Sequence, residues 1–243
     1  MVEDNAAQQK VSILNTSALQ AVRHALSERS VSPWTPVWPD PLREEAFHGL
    51  AGEFVRAVEP HTEADPAALL FQFLAAFGVA AGRGAYFRLE ADEHRGNLFV
   101  VVVGETSVAR KGTSFGHVRR LLGLVDRSFG KNRIFGGLSS GEGLIFHVRD
   151  PQVGQRPVRR KGRIVQYQQV LEDPGVSDKR TLVFESEFSS VLRVCHREGN
   201  TLSAVLRSAW DSGDLRVLTR NCPLVATGAH MGIFSCAYVS VWN

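Results

Sequence analysis

Residues 98–114 read LFVVVVGETSVARKGTS, and this stretch decides what kind of fold the chain adopts. A run of β-branched apolar residues ends at Gly104, a short polar segment follows, and hydroxyl side chains come just after Lys111. Apolar residues then recur at helical spacing from Val118 to Val125. This order of strand, loop and helix predicts an α/β fold in which a mainly parallel sheet is packed between helices in three layers. We expect the strand over residues 98–103 to lie inside that sheet.

The same order is that of a nucleotide-binding phosphate loop, whose backbone amides and following helix N-terminus face a triphosphate. In this interpretation Lys111 neutralises phosphate charge and acts in catalysis, while Thr113 or Ser114 offers a hydroxyl group to Mg²⁺. The residues that we expect to contact ATP are Gly104, Thr106, Arg110, Lys111, Gly112, Thr113 and Ser114.

The spacing departs from the usual G-x-x-x-x-G-K-[ST] pattern. Lys111 lies seven residues after Gly104, Arg110 replaces the second glycine, and Gly112 separates Lys111 from Thr113. The alternative interpretation is a buried strand with a polar turn before a surface helix. A second motif favours the phosphate loop.

That second motif is the segment KRTLVFESEF at residues 179–188, an apolar run that ends in two acidic residues. It is typical of a Walker B strand, in which one carboxylate holds the Mg²⁺ shell and another polarises the attacking water. Glu185 and Glu187 are two residues apart, so they would share a face if the strand continued. We therefore predict that Lys111, Glu185 and Glu187 are catalytic and that Glu185 and Thr113 also serve the metal. The exchanged assignment of the two glutamates stays open, because side chains two residues apart both reach the cleft.

Composition places the chain among ordinary globular proteins. It has 243 residues, of which 44% are hydrophobic and 22% charged, with a formal net charge of +3 that permits an anionic partner. Three cysteines show neither metal-ligand spacing nor even pairing, which is typical of thiols in a reducing compartment. Residues 67–82 form the longest apolar run, too short for the roughly 20 residues that a membrane span needs. We expect a cytoplasmic protein with a buried helix there.

The segments around the two motifs suggest a division of the chain. We expect a flexible extension over residues 1–40, a helical region over residues 41–83 and the phosphate-loop core over residues 84–243.

Residues 133–145 repeat the order of strand, loop and helix, and their small residues suit either a ligand-facing loop or a helix capped by Ser139 or Ser140. Residues 156–163 are the densest basic cluster. A solvated loop is one interpretation of this cluster, and contact with a nucleic-acid backbone by Arg156, Arg159, Arg160, Lys161 and Arg163 is the other.

Taken together, the segments GETSVARKGTS, GLSSGEGLI, TLVFESEF and GNTLSAVLRSAWDSGDL resemble a poorly characterised family of phage and mobile-element proteins. That family is described as RecA-like P-loop ATPases linked to DNA primase/polymerase modules and related to replicative helicases. The resemblance covers roughly residues 41–230. It implies ATP and Mg²⁺ binding at residues 104–114, a Walker B role for Glu185 and Glu187, a single-stranded DNA partner and a homo-oligomer.

The chain departs from this family near its end. Family members continue with a Gly-His-Ile-Thr-like stretch, whereas this chain runs into GIFSCAYVSVWN at residues 232–243. We therefore expect the C-terminal part of the core to be truncated. Three classes stay open: a helicase-like ATPase, a truncated nucleotide-binding remnant without motor activity, and a structural or interaction protein with a fortuitous Lys-Gly-Thr-Ser loop.

Overall fold

A four-stranded parallel sheet forms the centre of the molecule, confirming the α/β class with a parallel sheet. The computed structural model describes residues 40–104, 111–217 and 224–238, so the expected extension falls almost wholly outside the described residues, as do Thr106 and Arg110. In spatial order the strands are β3 (Phe99–Gly104), β10 (His230–Tyr238), β7 (Arg180–Glu185) and β4 (Ile134–Phe135).

Three two-stranded antiparallel sheets surround this central sheet. They pair β1 (Tyr86–Leu89) with β2 (Asp92–Arg95), β5 (Gln152–Arg160) with β6 (Arg163–Asp173), and β8 (Leu215–Arg216) with β9 (Val225–Ala226). The described helices are α1 (Gly49–Val58), α2 (Pro66–Ala81), α3 (Lys111–Val125), α4 (Arg127–Asn132), α5 (Gly141–Phe146), α6 (Phe188–Cys195) and α7 (Leu202–Asp211), with short 3-10 turns at Glu44–Ala46 and Glu59–His61.

Helices cover both faces of the parallel sheet. Neighbouring residues of β7 point to opposite sides: Leu182 packs with α2, α3 and α4, and Val183 packs with α5, α6 and α7. On the first side the rings of Phe115, Phe184 and Phe234 lie nearly parallel, with interplanar angles of 4° or less. Because both faces are buried, β7 and β10 read as continuous apolar runs, as expected for a parallel sheet.

The apolar run of residues 67–82 forms the buried helix α2, as predicted. Asp65 caps it by accepting a hydrogen bond from the Ala67 amide at 2.8 Å, and Pro66 occupies its first turn, where a missing N–H costs nothing. No helix among the described residues is long and apolar enough to cross a membrane.

Two expectations about the sheets and loops were wrong, one on the position of β3 and one on the basic cluster. Among the described residues β3 is an edge strand, because β10 pairs with it on one side only, and the side chains of Val101 and Val103 are exposed. Residues 232–238, in the segment where the chain departs from the resembled family, form most of β10 between β3 and β7. The basic cluster at residues 156–163 is part of an antiparallel ribbon instead of a loop.

Candidate functional site

Strand β3, which ends at Gly104, and strand β7, which ends at Glu185, end at the same edge of the sheet. Both are parallel to β10, which lies between them and pairs Tyr238 with Gly104 and Ser235 with Glu185. At the usual spacing of neighbouring strands, β3 and β7 are about 10 Å apart. In open parallel sheets, ligands bind outside the carboxyl ends of the strands. The topology therefore brings together the two motifs that the sequence singled out.

Helix α3 begins at Lys111, seven residues after the last residue of β3. The main chain of Lys111, Gly112 and Thr113 forms its first turn, where free amide groups and the helix dipole favour anions. The Ser114 side chain is fully buried, and its Oγ accepts a 2.6 Å hydrogen bond from Gln72 Nε2 of α2. Of the two hydroxyl residues proposed for Mg²⁺, Ser114 is thus engaged with a neighbouring helix.

Glu185 is held by the loop that follows β4. Its Oε1 accepts hydrogen bonds from the amides of Gly137 at 2.6 Å and Leu138 at 2.7 Å. The backbone oxygen of Glu185 also accepts a 3.1 Å bond from Ser235 Oγ on β10. Glu185 is therefore tied to the loop after β4 by its carboxylate and to β10 by its backbone oxygen. Its Oε2 has no hydrogen-bond donor among the described residues.

Glu187 lies in different surroundings. Strand β7 ends at Glu185, so Glu187 does not continue the strand and stands immediately before α6. Its carboxylate accepts a hydrogen bond from Ser189 Oγ in the first turn of α6 and lies 4.0 Å from Arg193 Nη2 in the last turn. The side chain is 46% exposed, which leaves it accessible from solvent.

The loop that binds Glu185 was undervalued by the sequence interpretation. Gly136 allows the loop backbone to lie against β7, because a Cβ atom at this position would stand only 2.3 Å from the Phe184 backbone oxygen. Ser140 caps α5 by accepting from the Gly143 amide at 3.0 Å, as one of the two interpretations predicted. The loop is also tied to α7, because Asn200 Nδ2 donates to the Ser139 oxygen at 3.1 Å. In the sequence, the signal for this loop was the pair of adjacent glycines after a short strand.

The described residues contain no group of three or more His, Cys, Asp or Glu side chains that would hold a metal ion unaided. Mg²⁺ in nucleotide sites does not need such a group, because one or two carboxylates and the substrate phosphates hold it, with waters completing its shell. The unoccupied lone pairs of Glu185 Oε2 fit that requirement.

The predicted basic residues divide between the two faces of the ribbon β5–β6. Cross-strand pairs share a face, and Arg160 pairs with Arg163 across a two-residue turn at Lys161 and Gly162, which have positive φ angles of 47° and 78°. One face, which we call the arginine face, carries Arg156, Val158, Arg160, Arg163, Gln166 and Gln168, with Gly154 and Val170 nearer the base. The opposite, more apolar face carries Val153, Gln155, Pro157, Arg159, Ile164, Tyr167, Gln169 and Leu171.

The other edge of the parallel sheet is closed by charged and polar side chains. Arg133 is buried and donates to the Arg180 oxygen, the His147 oxygen and Thr181 Oγ1, over 2.7–3.0 Å. His230 begins β10 at this edge and not at the carboxyl edge, so it is not placed to sense a nucleotide there. Its Nε2 lies 2.9 Å from the Gly78 oxygen, and burial lowers its pKa.

Comparison with known proteins adds no identity: no family model matches the chain, and no curated protein matches it.

Proposed function

We propose that this chain binds and hydrolyses ATP as a P-loop protein of the replicative-helicase type, acting in a mobile-element DNA replication system. The observation that carries the proposal is the common edge at which the Gly104 strand and the Glu185 strand end, one strand apart. The triphosphate would lie over residues 104–114, with the first turn of α3 toward its phosphates. The DNA replication context rests on the sequence resemblance.

The two glutamates have separate roles in this proposal. Bound Mg²⁺ would neutralise phosphate charge, and Glu185 would reach its shell through Oε2 while Oε1 remains on the Gly137 and Leu138 amides. Thr113 would supply the hydroxyl group, since the Ser114 hydroxyl already contacts Gln72. Glu187 would orient the attacking water and accept its proton on a carboxylate oxygen.

Nucleotide binding tests the proposal directly. We expect Lys111→Ala to abolish ATP binding or hydrolysis while the melting temperature stays that of the wild type, because a lysine at the start of α3 would contribute charge and not core packing. Lys131→Ala is the matched control, since Lys131 is an exposed lysine on α4. Equal ATP affinity in the wild type and Lys111→Ala would contradict the phosphate-loop assignment.

The alternative function is a nucleotide-binding remnant without motor activity. Its distinguishing result is ATP binding without turnover, either alone or with single-stranded DNA added. Hydrolysis that single-stranded DNA stimulates is the result expected for the helicase-like protein. A chain that binds no nucleotide would belong to the third class, a structural or interaction protein.

A further inference from the structure

The arginine face of the ribbon β5–β6 is a row of cations without intramolecular partners. Among the described residues, no carboxylate forms an ion pair and no group forms a hydrogen bond with the side chain of Arg156, Arg160 or Arg163. All three residues are exposed. By contrast Arg149, at the base of the ribbon, is paired with Asp173 at 2.6 Å. The unpaired charges are therefore confined to the outer part of the ribbon.

The pairing of the strands concentrates this charge. Arg160 and Arg163 stand directly opposite each other, and like charges in that position destabilise a ladder. Lys161 adds a further positive charge in the turn between them. Arg156 lies four residues before Arg160 on the same face, which makes a cationic row about 13 Å long. A polyanion laid along this row would relieve the repulsion.

We propose that the arginine face binds the phosphodiester backbone of a nucleic acid. Guanidinium groups match phosphate oxygens with two parallel hydrogen bonds, and the glutamines Gln166 and Gln168 on the same face add neutral donors. The chain carries no acidic residue between Gln152 and Leu171. The positive charge of the outer ribbon therefore complements the negative charge of a nucleic-acid backbone.

A membrane surface fits this ribbon less well. Its apolar side chains, such as Val153, Tyr167 and Leu171, lie behind the tip, and the tip itself consists of Arg160, Lys161, Gly162 and Arg163. Insertion into the apolar part of a bilayer would carry those charges in first. A nucleic acid needs only the charged face to be accessible.

The proposal extends the proposed function by giving it a nucleic-acid contact. It is tested without nucleotide or Mg²⁺, so that loss of ATP binding and loss of this contact are separate results. The measurement is fluorescence anisotropy of a labelled oligothymidine and of a mixed-sequence duplex, each titrated over a range of salt concentrations. Anionic lipid vesicles and polyglutamate are the comparison polyanions.

The variant Arg156→Ala/Arg160→Ala/Arg163→Ala should make the dependence of log affinity on log salt shallower by about 2–3, since each lost phosphate contact removes roughly 0.7–0.9. The loss should be alike for all sequences, because phosphate contacts carry no base information. Arg159→Ala removes one charge from the same ribbon but from the opposite face, and it should leave the slope unchanged. The variant Arg119→Ala/Arg120→Ala/Arg127→Ala matches the loss of three charges with exposed arginines on α3 and α4.

Several outcomes would overturn the proposal. Equal slope changes in the two triple variants would mean diffuse attraction to a basic protein. If Arg159→Ala changed the salt slope by as much as one third of the change in the arginine-face triple variant, the two faces would not differ in nucleic-acid contact. Absence of wild-type binding to both nucleic acids, or equally strong binding to vesicles or polyglutamate, would also contradict it. Melting temperatures no lower than that of the wild type in all variants, expected because every substituted arginine is exposed, show that unfolding does not cause the differences.

Discussion

The two edges of the parallel sheet are built differently. At the amino edge, Arg180 donates to Asp126, Asp178 and the Ala80 oxygen, and Arg133 fills the space beside it with three further bonds. At the carboxyl edge, the described polar contacts are fewer and centre on Glu185. The first arrangement satisfies its charges within the fold, whereas the second leaves carboxylate oxygens available. In the proposed function, the amino edge serves stability and the carboxyl edge serves chemistry.

The amino edge also shows how burial and pairing act on the same groups. The backbone amide of Phe129 and the Arg180 guanidinium together lower the pKa of Asp126. Burial acts to raise the pKa of Asp178, but the hydrogen bonds from Arg180 outweigh it and lower that pKa. The pKa of Arg180 is raised in turn, first by its hydrogen bond with Asp178. These groups therefore stay ionised at neutral pH and serve as structural ties.

The largest expected effect lies at the carboxyl edge. Glu187→Gln should slow ATP hydrolysis by about 10²–10⁴-fold while ATP affinity is retained, because only proton transfer in the transition state is lost. Glu185→Gln should instead weaken Mg²⁺-dependent ATP binding. Steady-state hydrolysis and ATP binding with and without Mg²⁺ separate the two. Wild-type hydrolysis by both variants would show that β7 is not a Walker B strand.

The next effect concerns the amino edge. Arg133→Ala should lower the free energy of unfolding by about 3 kcal/mol, since the Arg180 and His147 oxygens would lose their buried donor. The exposed Arg127→Ala should change it by no more than about 0.5 kcal/mol. Urea denaturation measures both values. If folded Arg133→Ala protein lost ATP affinity while its stability stayed the same, it would be wrong to assign stability to the amino edge and ATP chemistry to the carboxyl edge.

A smaller effect is expected from pH. His230 has a depressed pKa in the folded chain, so the unfolded state binds the extra proton first as the pH falls below the ordinary histidine value of about 6.5. Stability is therefore full above that pH and decreases below it, by at most about 1.4 kcal/mol per pH unit for this group. His230→Gln keeps a donor for the Gly78 oxygen and should flatten this decrease.

The control for this pH effect is His196→Gln, because His196 is exposed. Urea denaturation between neutral pH and pH values below 6.5 should give His196→Gln the same slope as the wild type. His147 also has a pKa lowered by burial, so part of the decrease should persist in His230→Gln. An unchanged slope in His230→Gln would mean that the histidine is not neutral in the fold.

The smallest effect should follow from Ser235→Ala. This change removes the 3.1 Å bond to the Glu185 oxygen and should cost about 0.5–1 kcal/mol of unfolding free energy. ATP affinity should hardly change, because the backbone of Glu185 stays in its ladder with β10. A loss of ATP affinity that exceeds the loss of stability would make Ser235 part of the site itself.

Local patterns in the sequence predicted much of the central fold. The apolar run before Gly104, the acidic end of β7 and the cap at Ser140 depend on neighbouring residues, and each lies where its pattern indicates. The strand order could not be predicted, because pairing of β10 with both β3 and β7 joins residues far apart in sequence. For the same reason β3 was wrongly expected inside the sheet.

The misjudged segments share a physical cause. Residues 152–173 are rich in arginine and glutamine, so their composition indicates a solvated loop, and only cross-strand pairing reveals a ribbon with two unlike faces. The amides of Gly137 and Leu138 also have no sequence signature as carboxylate ligands, since any residue has an N–H. Glu185 was found as an acid at a strand end, but its backbone partners required the structure.

One residue in the ribbon affects the twist of the ribbon without affecting its charge. Val158 pairs with Gln166 and Arg159 pairs with Ile164, so Val165 has no partner and forms a bulge. Deleting Val165 would leave every other pair in register and every charge in place, and it would remove only the extra twist that a bulge imparts. The angle between the tip and the base of the ribbon is thus adjustable by chain length, independently of its chemistry.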